Sequence, residues 1–287
     1  RANAAALVAS KAVANLSAWS PCVPPMVDAA TCEVQLIEEL GMAAFRHPLA
    51  DTERAQLKQL FDAGVAEKDF ATGVEWLLTG LLQAPDFLYQ FAKPAAAEVA
   101  GQVVPLPAYE LASRLSFFVW DSGPDDALFA AAAAGKLADA SGVQAELTRL
   151  MSDARFKRGL ESFYGDWLGL KGFTEVARDD KALTSELLVD LQRSLLQSAT
   201  APYESQNPTL QGLLSGQSYF MSDELRAFYG LAGGSPALEP TALPNEGRHG
   251  IITHPALMLL LARPSASNPI ARGLFVQRSL LCNEIPP

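Results

Sequence analysis

The sequence predicts an all-α protein, built as a multi-helix bundle in two packed helical subdomains with at most a short β-hairpin. Apolar residues make up 49% of the 287 positions and charged residues only 19%, which is enough apolar surface for a sizeable core. Apolar side chains recur at helical spacing in block after block, and proline and glycine clusters separate the blocks. Alternating strand patterns are scarce, the one weak instance being "SYFMS" at 218–222.

Three helical blocks follow an N-terminal segment at 1–31 and predict a three-helix subdomain over 32–93. The first is "TCEVQLIEELGMAAF", which ends before Pro48. The second, "DTERAQLKQLFDAGVA", opens on Asp51, a residue type that caps helices. The third, "DFATGVEWLLTGLLQAPDFLYQF", is interrupted at Pro85. The first block places at helical spacing Val34, Ile37, Leu40, Met42 and Phe45. The second places on one face Leu57, Leu60, Phe61 and Val65.

A stretch rich in alanine, proline and glycine at 94–106 is typical of a linker and separates this subdomain from a helical main domain predicted over 107–240. The main domain starts with "PAYELASRLSFFVW" and contains the longest amphipathic pattern of the chain, "ALTSELLVDLQRSLLQSATAPY". The remaining residues, 241–287, predict a C-terminal helical segment. We expect that segment to begin a domain that continues beyond the printed chain.

Charge and hydropathy exclude two classes of partner. Thirty-two acidic against 22 basic residues give a net charge of −10, so a nucleic acid would meet an unfavourable field. No apolar run approaches the roughly 20 residues that a membrane-spanning helix needs. The sequence therefore predicts neither nucleic-acid binding nor a transmembrane segment.

The three cysteines divide into a pair and a single residue. Cys22 and Cys32 flank a proline-rich loop, and a disulfide between them removes about 3 kcal/mol of unfolded-chain entropy in the loop-closure model. Such a bridge implies an oxidising compartment, whereas two free thiols in a cytosolic protein remain the alternative. Cys282 is left over, so we expect it to be unpaired or bonded to a segment or partner outside these residues.

Five ordered blocks carry a family resemblance over nearly the whole chain from Cys32 onward. They begin with "MAAFRHPLADTERAQLKQLFDAG" and "AYELASRLSFFVWDSGPDDALFAAAAAGKL", and end with "HGIITHPALMLLLARPSASNPIARGLFVQRSLLCNEIPP". The chain resembles the large secreted cytochrome-associated proteins abundant in planctomycetes and myxobacteria, which consist of tandem domains of unknown function. The resemblance implies a periplasmic, outer-surface or secreted location.

In those relatives a proline-rich run like "EIPP" leads into a Cys-x-x-Cys-His segment that attaches a c-type haem. The present sequence contains no such motif. The resemblance therefore implies no haem bound covalently within these residues, and a haem c carried by an adjoining segment or a partner protein.

Residues with possible chemistry are few, and the sequence predicts no catalytic residues and no metal ligands. His249 and His254 are five residues apart, which is not the spacing that places two ligands on one helical face. Because Pro255 follows His254, that histidine is expected to cap or pack at a helix start, or else to face the haem. Arg272, in the turn "SNPIARG", is expected to contact an anion such as a haem propionate or to form a structural salt bridge.

Three function classes remain open. The first, which we favour, is a non-catalytic helical scaffold supporting electron transfer by a haem outside this segment. The second is a structural or docking subunit of a cell-surface assembly, which predicts a large exposed apolar patch. The third is an extracellular enzyme domain with a haem redox partner, which predicts a polar cleft with shifted pKa values. No nucleophile elbow or phosphate loop is present to support the third.

Overall fold

The computed structural model of the chain describes residues 2–25, 27–90, 103–175, 182–204, 208–243 and 247–283. The chain divides into two units, Arg1–Asp153 and Ala154–Pro287. Most of the predicted linker at 94–106 and the terminal "EIPP" lie outside the described residues. Helices dominate both units and one two-stranded sheet is present in the described part, so the all-α prediction is confirmed.

Unit 1 is built from helices throughout its described residues. They are α1 (Ala2–Val13), α2 (Leu16–Trp19), α3 (Ala29–Phe45), α4 (Asp51–Glu67), α5 (Phe70–Gln83), α6 (Pro85–Leu88), α7 (Ala108–Trp120), α8 (Asp126–Ala133) and α9 (Ala140–Met151). The predicted three-helix pattern corresponds to α3, α4 and α5. Helix α1 was not predicted, because its run of alanines favours a helix without marking an apolar face.

Carboxylate caps fix the starts of several of these helices. Asp28, Asp69, Asp125 and Asp139 each accept a hydrogen bond from a backbone N–H in the first turn of the helix that follows. The prediction that Asp51 caps α4 is wrong. Ala50 flanks that helix instead, and its N–H donates to the carboxylate of Glu53 at 2.8 Å.

The core of unit 1 lies between α3, α4 and α5. Leu36, Ile37, Phe61, Val74 and Leu77 are at most 3% exposed and pack together there. Of the positions that the helical periodicity placed on the inner faces, Ile37, Phe45, Leu57 and Phe61 are buried, whereas Val34 is 60% exposed and Leu60 and Val65 are each 38% exposed.

The predicted disulfide joins Cys22 to Cys32, with Cα atoms 5.2 Å apart. Both cysteines are buried, and Cys32 lies in the first turn of α3. The bridge therefore ties the loop after α2 to the helix that begins the core.

Unit 2 contains fewer and shorter helices around one long one. Its elements are α10 (Arg155–Leu168), α11 (Ser185–Glu204), α12 (Leu210–Ser215), β1 (Ser218–Met221), α13 (Asp223–Phe228), β2 (Glu239–Ala242), α14 (Pro255–Leu260) and α15 (Pro269–Phe275). Short 3-10 turns lie at Phe173–Glu175 and Ile251–Thr253, and a π-helical turn at Val276–Leu280. Strands β1 and β2 pair antiparallel.

Helix α11 carries the core of unit 2. Leu187, Leu191, Leu195 and Ala199 lie along one face of the helix and are at most 3% exposed. Packed against this face are Tyr164 of α10 and both Tyr219 and Met221 of β1. The long amphipathic pattern that the sequence showed is thus the central helix of the unit.

The boundaries 1–31, 32–93, 94–106, 107–240 and 241–287 remain predictions from sequence. Among the described residues, none of the helices has the length and apolar character that crossing a membrane requires.

Candidate functional site

A cleft of about 850 Å³ opens in unit 2 beside α14 and α15. The apolar lining residues, which we call the apolar wall, are Leu183, Phe228, Pro255, Met258, Leu259 and Ala262. A volume of this size lies within the range of small-molecule sites, whose walls are mostly apolar with a few placed polar groups.

The cleft is also lined by basic and polar residues. These are Arg248, Thr253, Arg263, Ser265, Ser267 and Arg272. Arg248 and Arg263 are exposed, whereas Arg272 is half-buried. The cleft thus combines an apolar wall with three guanidinium groups, which is the chemistry that binds an anion attached to an apolar body.

Helix caps place the residues of this site. Asn268 accepts a hydrogen bond from the N–H of Ala271, and Pro269 occupies the first turn of α15, so Arg272 projects from a helix with a fixed start. His254 and Pro255 start α14 in the same way. The apolar residues Met258 and Leu259 follow within that helix.

The turn that precedes α14 depends on Gly250. Its backbone has φ +54°, and a Cβ atom there would overlap the carbonyl group of Leu214. The N–H of Gly250 donates to the carbonyl of Gly216 at 2.7 Å, and its own carbonyl accepts from the Tyr219 hydroxyl at 3.0 Å. This close approach fixes the backbone between Arg248 and Thr253, both of which line the cleft.

His254 lies beneath the cleft and is 1% exposed. Its Nδ1 atom accepts from the N–H of Ala256 at 3.2 Å, which places the ring proton on Nε2. The Nε2–H then donates to the hydroxyl of Ser194 at 3.1 Å, and that hydroxyl donates to the carbonyl of Phe220. Burial lowers the pKa of His254 to about 3, so the imidazole is neutral at pH 7.

This serine–histidine contact has the wrong polarity for nucleophilic catalysis. A catalytic histidine must accept the serine proton, whereas His254 donates to Ser194. Ser194 is also 1% exposed, so a substrate has no access to its hydroxyl in this conformation. The pair is a structural link between α11, β1 and the start of α14.

The arginine side chains of the cleft lack acidic partners among the described residues. Arg272 forms no ion pair there, and its buried Nε atom makes no hydrogen bond. The guanidinium of Arg248 lies 5.0 Å from the ring centroid of Tyr229, a cation–π contact. Burial raises the pKa of the Tyr229 hydroxyl, and the charge of Arg248 opposes that shift.

The structure brings the two predicted haem neighbours into one region. Arg272 lines the cleft, and His254 lies behind its wall, between the lining residues Thr253 and Pro255. The expectation that His254 caps a helix is met, since it is the N-cap of α14. Cys282 is an exposed free thiol. No cluster of metal-binding side chains occurs within the described ranges.

Sequence reasoning missed Arg248 and Arg263. A signal was available, because residues 247–283 contain four arginines, no lysine and no acidic residue, in a chain whose net charge is −10. A basic segment within an acidic chain points to an anionic partner.

Family comparisons name two domains in this chain. Residues 32–91 match the family PSD5, described as a protein of unknown function (DUF1595). Residues 106–231 match PSD4, also described as a protein of unknown function (DUF1592). The chain carries both domains. Leu183 and Phe228 of the cleft lie in the PSD4 domain, whereas the arginines follow it. Neither a curated protein nor a solved structure matches the chain.

Proposed function

We propose that this chain is the helical scaffold part of an extracytoplasmic c-type cytochrome-like protein, which supports electron transfer by a haem carried outside these residues. The observation that carries the proposal is the cleft of unit 2, with its apolar wall and its arginines. A haem is a flat apolar ring with two carboxylates. It therefore matches a cleft that offers an apolar surface beside guanidinium groups.

The residues that line the cleft fit the edge of a haem. The half-buried Arg272, whose Nε atom has no partner among the described residues, would hold a propionate. Met258 and Leu259 would contact the ring edge. His254 has both ring nitrogens engaged with Ala256 and Ser194, so in this conformation its role is to support the wall of the cleft. The haem would supply the one-electron chemistry, and the chain would exclude water and fix the ring.

An extracytoplasmic location is part of the proposal. The buried bridge between Cys22 and Cys32 supports it, because such disulfides persist in oxidising compartments.

The test is an absorption spectrum and an intact mass of the protein isolated from its native source, before and after reduction. We expect a reduced c-type haem spectrum that travels with a mass well above 30.6 kDa. A colourless protein of 30.6 kDa would overturn the proposal. As a second measurement, Arg272→Gln in the haem-bearing protein should shift the reduction potential, because it removes a positive charge beside a propionate.

A docking role is the second candidate, and a feature of unit 1 favours it. An apolar groove of about 450 Å³ is lined by Ala4, Ala5, Val8, Leu82, Phe87 and Leu88. Val8 and Leu88 remain 54% and 42% exposed. Exposed apolar surface of this kind is typical of protein-binding sites. The charged substitution Val8→Lys should weaken assembly in a pull-down from the native source, and unchanged assembly would remove this candidate.

A further inference from the structure

The cleft of unit 2 holds positive charge that the described residues do not neutralise. Arg248, Arg263 and Arg272 line one cleft, and a guanidinium stays protonated at any physiological pH. None of the three has an ion-pair partner among the described residues. Three like charges around one apolar-walled space repel one another. A bound anion relieves that repulsion.

Unit 2 also contains buried hydrogen-bond donors that have no partner among the described residues. Over the described residues, the buried side-chain polar atoms without a hydrogen-bond partner are Arg226 Nε, Tyr229 Oη and Arg272 Nε. All three can donate, but the guanidinium of Arg226 pairs with Glu239 and does not line the cleft. Arg272 lines the cleft, and Tyr229 lies against Arg248 of its rim. A buried donor without a partner costs free energy that an incoming acceptor recovers.

Other half-buried arginines of this chain have hydrogen-bond acceptors within the fold. Arg149 meets Asp125 through two hydrogen bonds of 2.9 and 3.0 Å, and Arg46 donates to the carbonyls of Ala44, Asp86 and Tyr89. The absence of such partners at Arg272 is therefore a local property of the cleft and not a general property of this chain.

We infer that the cleft is a binding site for a doubly charged oxyanion, a phosphate group or a pair of carboxylates, and that it binds this anion without any haem. Arg272 provides a half-buried charge, while Arg248 and Arg263 contact the anion from exposed positions. Ser265 and Ser267 add hydroxyl donors. The apolar wall around Met258 accommodates an organic body attached to the anion.

The experiment uses the haem-free chain at low ionic strength, where charge–charge binding is strongest. Inorganic phosphate and succinate are titrated separately by isothermal calorimetry against wild type, Arg272→Gln, Arg248→Gln and Arg272→Lys. The matched control is Arg193→Gln, which removes an exposed arginine of the same unit that is paired with Asp190. Circular dichroism establishes that each variant is folded.

We expect at least one of the two anions to bind. Its affinity should fall about tenfold to hundredfold in Arg272→Gln, because a charge-assisted hydrogen bond is lost. Arg248→Gln should weaken binding less, Arg272→Lys should recover part of it, and Arg193→Gln should leave it unchanged. A preference for phosphate assigns a phosphorylated ligand, and a preference for succinate a dicarboxylate.

Two results would overturn the inference: no binding of either anion, or equal affinity of wild type and both glutamine variants. The haem proposal is judged separately by the spectrum of the native protein. A colourless native protein that binds phosphate through Arg272 would retain the anion site and reject the haem. If the native protein carries haem but its haem-free chain binds neither anion, the haem proposal is retained and the anion site is rejected.

Discussion

The arginines of unit 1 and the arginines that line the cleft of unit 2 have different surroundings. In unit 1, Arg54 pairs with Glu38 and Asp51, and Arg149 pairs with Asp125 and Glu146. In unit 2, Arg248 and Arg272 line a cleft and have no carboxylate partner among the described residues. The first arrangement stabilises the fold, whereas the second leaves positive charge available to a ligand. Substitution at the two kinds of position should therefore give different results.

The largest effect is expected from the covalent link in unit 1. The double variant Cys22→Ser/Cys32→Ser should lower the free energy of unfolding by about 3 kcal/mol, because the unfolded chain regains the entropy that the bridge removes. Urea unfolding measures the change, and peptide-resolved hydrogen exchange should locate the lost protection in α1 to α5. The control is Cys282→Ser, which alters an exposed free thiol and should leave stability unchanged. An equal change in the free energy of unfolding of the two variants would contradict the prediction.

A smaller effect is expected from the buried histidine of unit 2. His254→Asn keeps a side chain that can cap α14 but removes the donor to Ser194, so we expect a loss of about 1 to 3 kcal/mol in the free energy of unfolding. Chemical unfolding at pH 7 gives the value. A loss below about 0.5 kcal/mol would show that this contact does not hold the wall of the cleft.

The same variant should change the pH dependence of stability. The folded protein holds His254 neutral with its pKa lowered from 6.5 to about 3, whereas the unfolded chain protonates it near 6.5. The unfolded state therefore binds more protons between these values, and wild type loses up to about 1.4 kcal/mol per pH unit as the pH falls through that window. His254→Asn should show a shallower loss between pH 7 and pH 5 when urea unfolding is measured across that range.

Breaking an arginine pair in unit 1 should cost less. Arg149→Gln removes two hydrogen bonds to Asp125 and one to Glu146, both of which are half-buried carboxylates. The free energy of unfolding should fall by about 1 to 2 kcal/mol. Arg114→Gln is the control, because its pair with Glu110 is more exposed and should contribute about 0.5 kcal/mol or less. Similar losses in the free energy of unfolding of both variants would contradict the prediction that the Arg149 pairs stabilise the fold.

The smallest effect is expected at the cleft. Arg272→Gln should change the free energy of unfolding by less than about 0.5 kcal/mol in the absence of ligand, because no partner is lost. Urea unfolding of the ligand-free chain gives the value. A loss above about 1 kcal/mol would assign Arg272 to the structure of unit 2 and remove the contrast between paired arginines and cleft arginines.

Much of the helical framework was predictable, because it depends on local periodicity. The leucines of α11 defined its buried face in the sequence, and Pro255 indicated that His254 starts a helix. Strand β2 was missed, because Pro240 and the short run around it give no strand pattern. The strand forms through its pairing with β1, which is a tertiary effect.

The cleft was only partly predictable. Arg272 could be singled out from its turn, but whether an arginine has an acidic partner depends on residues distant in sequence. Arg149 illustrates this, since its partner Asp125 is 24 positions away. The charge segregation of residues 247–283 was the available clue to Arg248 and Arg263, although it does not reveal that they line the same space.

Gly250 divides the site into a part that tolerates engineering and a part that does not. No side chain fits at Gly250, since it would overlap the Leu214 carbonyl, so the backbone that carries Arg248 and Thr253 requires glycine at this position. The guanidinium groups themselves extend from exposed or half-buried positions and are free to be exchanged. The selectivity of the cleft can therefore be redesigned by substitution at its arginines, without altering the backbone beneath them.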